Sequence, residues 1–214
     1  MKVYFVRHGE TEANRKNFAQ DEKGALSELG RQQAEFVGKR FKNIPIDLIV
    51  SSPYLRAKET TEIIHKSCNK EILWSELFVE RRDPSVMVGK DMSSPESKAI
   101  TKEIRANRHI PDWRHSNEET FTEIKERAKK ALLYLRDLKK ERILVVTHSG
   151  FLRSLLCAMI FGDTLTAEMY NKMFALRTIN TGITLAEYSE HDTWVGSGWV
   201  VNAWNDHAHL GEIK

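Results

Sequence analysis

Cysteine is scarce in this chain: Cys68 and Cys157 are the only two in 214 residues. Two cysteines make neither a disulfide framework nor the ligand set of a structural zinc site. Five prolines and eleven glycines are too few for a collagen-like or low-complexity protein. The longest apolar run, Leu155–Phe161, is far short of the roughly 20 residues that span a bilayer. Residues 1–9 carry no signal-peptide core. No sign of charge dominates: 33 basic residues stand against 30 acidic ones, a net charge of +3, and this does not mark a nucleic-acid binder. What is present is an ordinary globular composition, 41% hydrophobic, on a chain long enough to bury a real core as one domain. The expectation is a soluble, cytoplasmic protein of a reducing compartment, with no nucleic-acid or membrane partner. Its five tryptophans fit a dimer as well as a monomer.

Apolar runs and periodic segments alternate along the chain. Val3-Tyr4-Phe5-Val6 reads as a buried strand that stops at Arg7-His8-Gly9. Ser27 reads as a helix N-cap, followed by Gly30, Ala34, Val37 and Phe41 on one helical face. Ile46–Val50 is a second strand and ends in Ser51-Ser52-Pro53, with Pro53 in the first turn of a helix over Tyr54–Lys66. Ile72–Trp74 is a third. Residues 83–117 hold three prolines, many charges and weak periodicity, and read as an inserted cap. Phe121, Ile124, Ala128, Ala131, Leu132, Leu135 and Leu138 trace a long amphipathic helix. Ile143–Val146 is the clearest strand and runs into Thr147-His148-Ser149-Gly150, before a helix over Phe151–Phe161. Ile183–Tyr188 and Trp199–Trp204 are late strands, and Met169, Met173 and Phe174 read as core-facing helix residues.

Alternating strands and helices predict an α/β fold, a three-layer sandwich around a mostly parallel sheet. Ligands bind such sheets beyond the carboxyl ends of the strands. Two of the three strand-end loops here place a histidine directly after a buried strand. A neutral imidazole is a nucleophile near pH 7, and Arg7 beside His8 keeps the ring neutral. The same guanidinium offers a donor fork that matches phosphate oxygens. Arg56 falls near a helix N-terminus, where an anion is favoured, and His148 adds another donor. The expected pocket is small, cationic and suited to a phosphoryl group.

Four ordered motifs carry a resemblance. Arg7-His8-Gly9-Glu10-Thr11-x-x-Asn14, Leu26-Ser27-Glu28-Leu29-Gly30-Arg31-x-Gln33-Ala34, Ser51-Ser52-Pro53-x-x-Arg56-Ala57-x-x-Thr60 and Val146-Thr147-His148-Ser149-Gly150 resemble the motifs of the histidine phosphatase superfamily, also called phosphoglycerate-mutase-like. The match in order and spacing covers residues 3–66 and 118–188. The resemblance implies one domain over 1–214 with a partly helical cap at about 76–117. It implies a phosphomonoesterase in which His8 is the transiently phosphorylated nucleophile. Arg7, Arg56 and His148 would bind the phosphoryl oxygens, Asn14 would add a hydrogen bond, and the backbone N–H of Ser149 would contribute where glycine is common. No cofactor or metal is implied for a phosphatase, and the partner is a small-molecule phosphate ester. A phosphoglycerate-type mutase and a non-catalytic phospho-ligand module are the alternatives.

A carboxyl beside a dianionic phosphate has its pKa raised by like charge and can protonate a leaving alkoxide. The resemblance puts that acid at Glu80, with Asp83 and Glu76 as substitutes, because Arg81-Arg82-Asp83-Pro84-Ser85 departs from the family's usual continuations. Glu80 also reads as a surface carboxylate paired with Arg81 or Arg82. The chain lacks the Cys-x5-Arg, Asp-x-Asp-x-Thr, Gly-x4-Gly-Lys-Ser/Thr and Gly-x-Ser-x-Gly motifs of other phosphoryl- and acyl-transfer enzymes. The basic run Lys98, Lys102, Arg105, Arg108, His109, Arg114, His115 reads as a solvated helix face or as a lid that attracts polyanions. His207 and His209 supply fewer ligands than a zinc site needs.

Overall fold

A computed structural model describes residues 1–192 and 196–211. In chain order its elements are β1 (Lys2–Arg7), α1 (Glu12–Lys16), α2 (Glu28–Phe41), β2 (Leu48–Ser51), α3 (Leu55–Cys68), β3 (Ile72–Trp74), α4 (Pro95–Asn107), α5 (Phe121–Asp137), β4 (Arg142–Thr147), α6 (Ser149–Phe161), α7 (Ala167–Lys172), β5 (Ile183–Asp192) and β6 (Gly196–Asp206). The six strands form one sheet in the order β3-β2-β4-β1-β5-β6. The first four are parallel, as the strand–helix alternation predicts. β5 and β6 are antiparallel additions at the β1 edge.

The pleat explains the layers. Along β1, Val3 and Phe5 point to one face and Val6 to the other; along β4, Ile143 and Val145 oppose Leu144 and Val146. Val3, Phe5, Ile143 and Val145 pack on Ile124, Ala128 and Leu135 of α5 and on Phe151 and Leu155 of α6. Val6, Leu144 and Val146 pack on Val37 and Phe41 of α2 and Ala57 and Ile64 of α3. Strands covered on both faces read as unbroken apolar runs, which is why they stand out in the sequence.

Helix starts follow their caps. Ser27 Oγ accepts the Gly30 N–H at 3.0 Å, and Thr120 forms a capping box with Glu123 at the start of α5. Pro53 differs from expectation: it precedes the N-cap, Tyr54, instead of sitting in the first turn. Where α2 begins, its backbone presses on the loop after β1. A Cβ on Gly30 would sit 2.0 Å from the Glu10 carbonyl oxygen, so only glycine lets the two segments meet.

Between β3 and α5 the chain leaves the sandwich. Two short 3-10 turns, Glu76–Phe78 and Ser85–Met87, lead to α4. This excursion is tied back by Ala19 N–H to the Lys90 carbonyl at 3.1 Å and Met92 N–H to the Asn17 carbonyl at 2.9 Å. The basic run predicted as one feature divides. Arg114 pairs with Glu123 and His115 with Glu103, Lys98 and Lys102 lie exposed, and Arg108 turns over the Phe174 ring at 4.4 Å. Met173 and Phe174 pack against the core as expected, but they lie in a 3-10 turn after α7, and Met169 is exposed. Cys157 is buried and Cys68 half-buried, both as free thiols, and burial pushes the Cys157 thiol up to about 12. Among the described residues no helix is long and apolar enough to cross a membrane.

Candidate active site

Strand order brings the site together. β4 lies between β1 and β2, so the loops leaving all three strands adjoin at the carboxyl end of the sheet. The register is maintained one residue past the strands: His8 N–H bonds the Thr147 carbonyl at 2.9 Å and Ser52 N–H the Val146 carbonyl at 3.1 Å. His8 and His148 are therefore neighbours, with ring centroids 5.1 Å apart. Both are buried.

His8 is fixed in one tautomer by its partners. Its Nδ1 lies 2.7 Å from the Gly9 carbonyl oxygen, which can only accept, so Nδ1 carries the proton. Nε2 then holds the lone pair, and Arg56 Nε–H donates to it at 3.3 Å. Burial first, and then the Arg56 and Arg7 guanidinium charges, hold the His8 pKa well below the ordinary 6.5. His148 is lowered for the same leading reason, with Arg56 adding. Its Nε2 meets Ser52 Oγ at 2.8 Å.

The guanidinium groups are held from behind. Arg7 donates to the Thr178 carbonyl at 2.7 Å and Arg56 to the Asp21 carbonyl at 2.7 Å. Burial lowers Arg7 to about 10, with Glu80 opposing the shift and Arg153 and Arg56 reinforcing it. Arg7 Nε and His148 Nδ1 are buried without a hydrogen-bond partner among the described residues. Unmet buried polar groups beside cationic groups are costly, and an anion with several acceptor oxygens would offset that cost at Arg7 Nε and at a protonated His148 Nδ1.

A cleft of about 410 Å³ opens over this floor, with Arg7, His8, Asn14, Arg56, Glu80 and Ser149 in its walls. Asn14 Oδ1 is turned to the Thr11 N–H. Glu80 is no solvated surface carboxylate. Its Oε1 accepts the Phe151 and Arg81 N–H groups, both at 2.8 Å, and its Oε2 accepts the Gly150 N–H at 3.1 Å, capping α6. Of the substitutes, Asp83 lines the cleft, whereas Glu76 lines a neighbouring groove that shares Tyr54, Glu80 and Arg82 with it. His207 and His209 make other contacts: His209 Nε2 meets Thr181 Oγ1 at 3.1 Å and His207 Nδ1 the Asn205 carbonyl at 2.8 Å.

Several participants escaped the sequence reading. Arg153, four residues after Ser149 on α6, donates to Ser149 Oγ at 3.0 Å. Asn180 Nδ2 donates to the His8 carbonyl at 2.9 Å. Thr178 and Asn180 precede β5, and because β5 runs antiparallel to β1, the loop before it lies where the other strands end. A search limited to loops that follow strands misses it. Arg127 of α5 pairs with the buried Glu119 at 2.7 Å and donates to the Leu77 and Val79 carbonyls. This pair grips the backbone that carries Glu80; only the helical register of Arg127 signalled it.

Residues 3–207 match the profile of the histidine phosphatase superfamily (branch 1). The chain is 33% identical over 217 residues to a "Probable phosphoglycerate mutase GpmB" of Salmonella arizonae, covering 98% of this chain and 95% of that protein. A protein of the same name from Escherichia coli O1:K1 is 32% identical with the same coverage. Among solved structures, a mycobacterial glucosyl-3-phosphoglycerate phosphatase superposes with a TM-score of 0.80 at 21% identity, over 96% of this chain and 99% of that one. The Entamoeba histolytica phosphoserine phosphatase superposes at 0.79 and 24% identity, over 98% of each. The profile match across nearly the whole chain, together with relatives above 30% identity, means that this protein belongs to the histidine phosphatase superfamily.

Proposed function

We propose that this protein is a metal-independent phosphomonoesterase that works through a phosphohistidine on His8 and takes a small phosphate ester as substrate. The observation that carries the reading is the fixed tautomer of His8: a neutral ring, a lone pair on Nε2, and two guanidinium groups around it. An incoming phosphoryl group takes the Arg56 and Arg7 donors and frees the Nε2 lone pair. Nε2 attacks phosphorus, the ester P–O bond breaks, and Glu80 gives its proton to the leaving oxygen. Water then attacks phosphorus, the P–Nε2 bond breaks and returns its electron pair to His8, Glu80 takes the water's proton, and inorganic phosphate leaves. Arg7, Arg56 and His148 stabilise charge on the equatorial oxygens, which is the main requirement of phosphoryl transfer. Asn14 and the Ser149 N–H add hydrogen bonds. In this reading residues 76–117 are the cap that closes over the ester, and the protein works in a reducing compartment where its two thiols stay unpaired.

The names of the relatives at 32–33% identity favour a second reading, a mutase that returns the phosphoryl group to substrate. One assay addresses both. Wild type and His8→Ala are compared for phosphate release from an aryl phosphate and from small metabolite esters, with EDTA present. The reading expects EDTA-resistant release that falls by about 10⁴-fold or more in the variant. Isomerised ester with total ester phosphate conserved would establish the mutase instead.

A further inference from the structure

A 3-10 turn, Ala208–Leu210, follows β6 and lies against α2. Arg40 of α2 pairs with Asp206, Asp206 Oδ1 accepts the Ala208 N–H at 3.0 Å, and Leu210 is buried. His209, in this turn, forms no part of the cleft wall. It reaches the loop before β5 instead, where its Nε2 lies 3.1 Å from Thr181 Oγ1. The Thr181 hydroxyl gives its hydrogen to the Asn180 carbonyl at 2.7 Å, so in this contact the imidazole N–H donates and Oγ1 accepts. Nδ1 then carries the lone pair and is buried without a partner among the described residues. Burial first, and then the Arg40 charge, lowers the His209 pKa to about 4.

Thr181 needs such support. Its φ of 59° lies in the left-handed region, which β-branched residues rarely adopt. Strain of this kind persists where the surroundings hold it. Thr181 N–H bonds the Arg7 carbonyl at 2.9 Å, and Gly182 N–H bonds the Ile179 carbonyl at 3.0 Å. Asn205 Oδ1 of β6 accepts the Ile179 N–H at 2.7 Å. The loop so shaped supports the cleft from behind. Its Thr178 carbonyl accepts from the Arg7 guanidinium, Thr178 Oγ1 meets Ser149 Oγ at 2.6 Å, and Asn180 Nδ2 donates to the His8 carbonyl. A donor near the end of the chain thus stands one hydrogen bond behind the residues that hold Arg7 and His8.

We infer that His209 is a positioning residue: its Nε2–H holds residues 178–182 in the strained conformation that aims Arg7 and seats His8. This rests on the phosphatase reading of the cleft. Without the donor, Thr181 relaxes out of the left-handed region, and the Thr178 carbonyl and the Asn180 amide shift with it. Arg7 then loses its anchor, so oxyanion binding and turnover fall together.

His209→Met and His209→Gln separate the donor from the packing, since both side chains are long and unbranched and only Gln carries an N–H. They are compared with wild type by amide hydrogen exchange at Thr181, calorimetric binding of inorganic phosphate, and phosphate release from a small ester. His207→Ala is the control, because His207 is exposed and bonds the Asn205 carbonyl. In His209→Met, exchange should be about fivefold to tenfold faster, and phosphate binding and turnover weaker by a similar factor, the worth of one hydrogen bond. Gln should restore most of this loss, and His207→Ala should match wild type. Thr181→Val removes the same contact from the other side. It should lose at least as much, with little added in the double variant with His209→Met, and it carries the test if His209→Met does not fold. Unchanged phosphate binding and turnover in His209→Met overturn the inference, as do a Gln variant as impaired as Met or fully additive losses in the double variant. If the exchange and phosphate-binding patterns hold but no ester is turned over, the hydrolase reading fails and the brace stands.

Discussion

Arg56 Nε–H donates to His8 Nε2 at 3.3 Å, so in the proposed function the cation assigned to the phosphoryl group also marks the atom assigned to attack it. The Gly9 carbonyl on the opposite ring nitrogen fixes the same assignment independently. Two guanidinium charges and full burial both oppose protonation. A ring-nitrogen NMR titration of 15N-histidine-labelled protein should therefore find His8 with Nδ1 protonated and Nε2 bare from pH 7.5 down past 6.5. Replacing Arg56 with Gln should move its titration upward. A His8 that titrates near 6.5 in wild type, or carries its proton on Nε2, contradicts the assignment.

Glu80 and Gly150 form a second coupled pair. A methyl group on residue 150 would fall 2.7 Å from Glu80 Oε1, so the carboxylate would have to leave the N–H groups of Gly150 and Phe151. The helix itself gains from alanine. Gly150→Ala should therefore fold normally yet lose turnover of alkyl phosphates, approaching Glu80→Gln, which should lose about 10²–10⁴-fold. Both variants should keep more of their activity on a nitrophenyl ester, whose leaving group needs no proton. Full alkyl-ester activity in either variant would remove Glu80 from the acid role.

Stability should fall as pH drops below 6.5, because two buried histidines resist protonation. His8 and His148 are buried and their pKa values lowered, whereas the unfolded chain takes up protons near 6.5. Below 6.5 the unfolded state binds protons that the native state excludes, so unfolding becomes easier as pH drops. Each histidine adds a slope of up to about 1.4 kcal/mol per pH unit. Urea unfolding at pH 7.5, 6.5 and 5.5 checks the trend, and His8→Gln should flatten it. Stability that is level or rising between pH 6.5 and 5.5 would be inconsistent with two buried neutral rings.

Much of the fold is legible in the sequence. The runs Val3–Val6 and Ile143–Val146 announce strands because both faces are covered, and the residues that follow them, His8 and His148, are polar against that background. Phe41, Val37 and Ala34 mark the buried face of α2 by spacing alone. Pairing is a different matter. Nothing in Ile183–Tyr188 says that it runs antiparallel to β1, and that orientation is what delivers Thr178 and Asn180 to the site. Arg108, Arg153 and Phe174 are far apart in sequence, and each reads as an ordinary surface or core residue. Their convergence depends on how α4 and the turn after α7 pack, which local pattern does not encode. The basic run was visible, but only packing separates Arg108, over Phe174, from Lys98 and Lys102 in solvent.

Covalent chemistry at His8 leaves an intermediate that can be trapped. Wild type would be mixed for milliseconds with a 32P-labelled ester, quenched in base, digested and mapped. The expected result is an acid-labile, base-stable label on the peptide that contains His8, absent from His8→Ala. A label on any other residue, or rapid turnover with no labelled intermediate, would contradict covalent chemistry at His8.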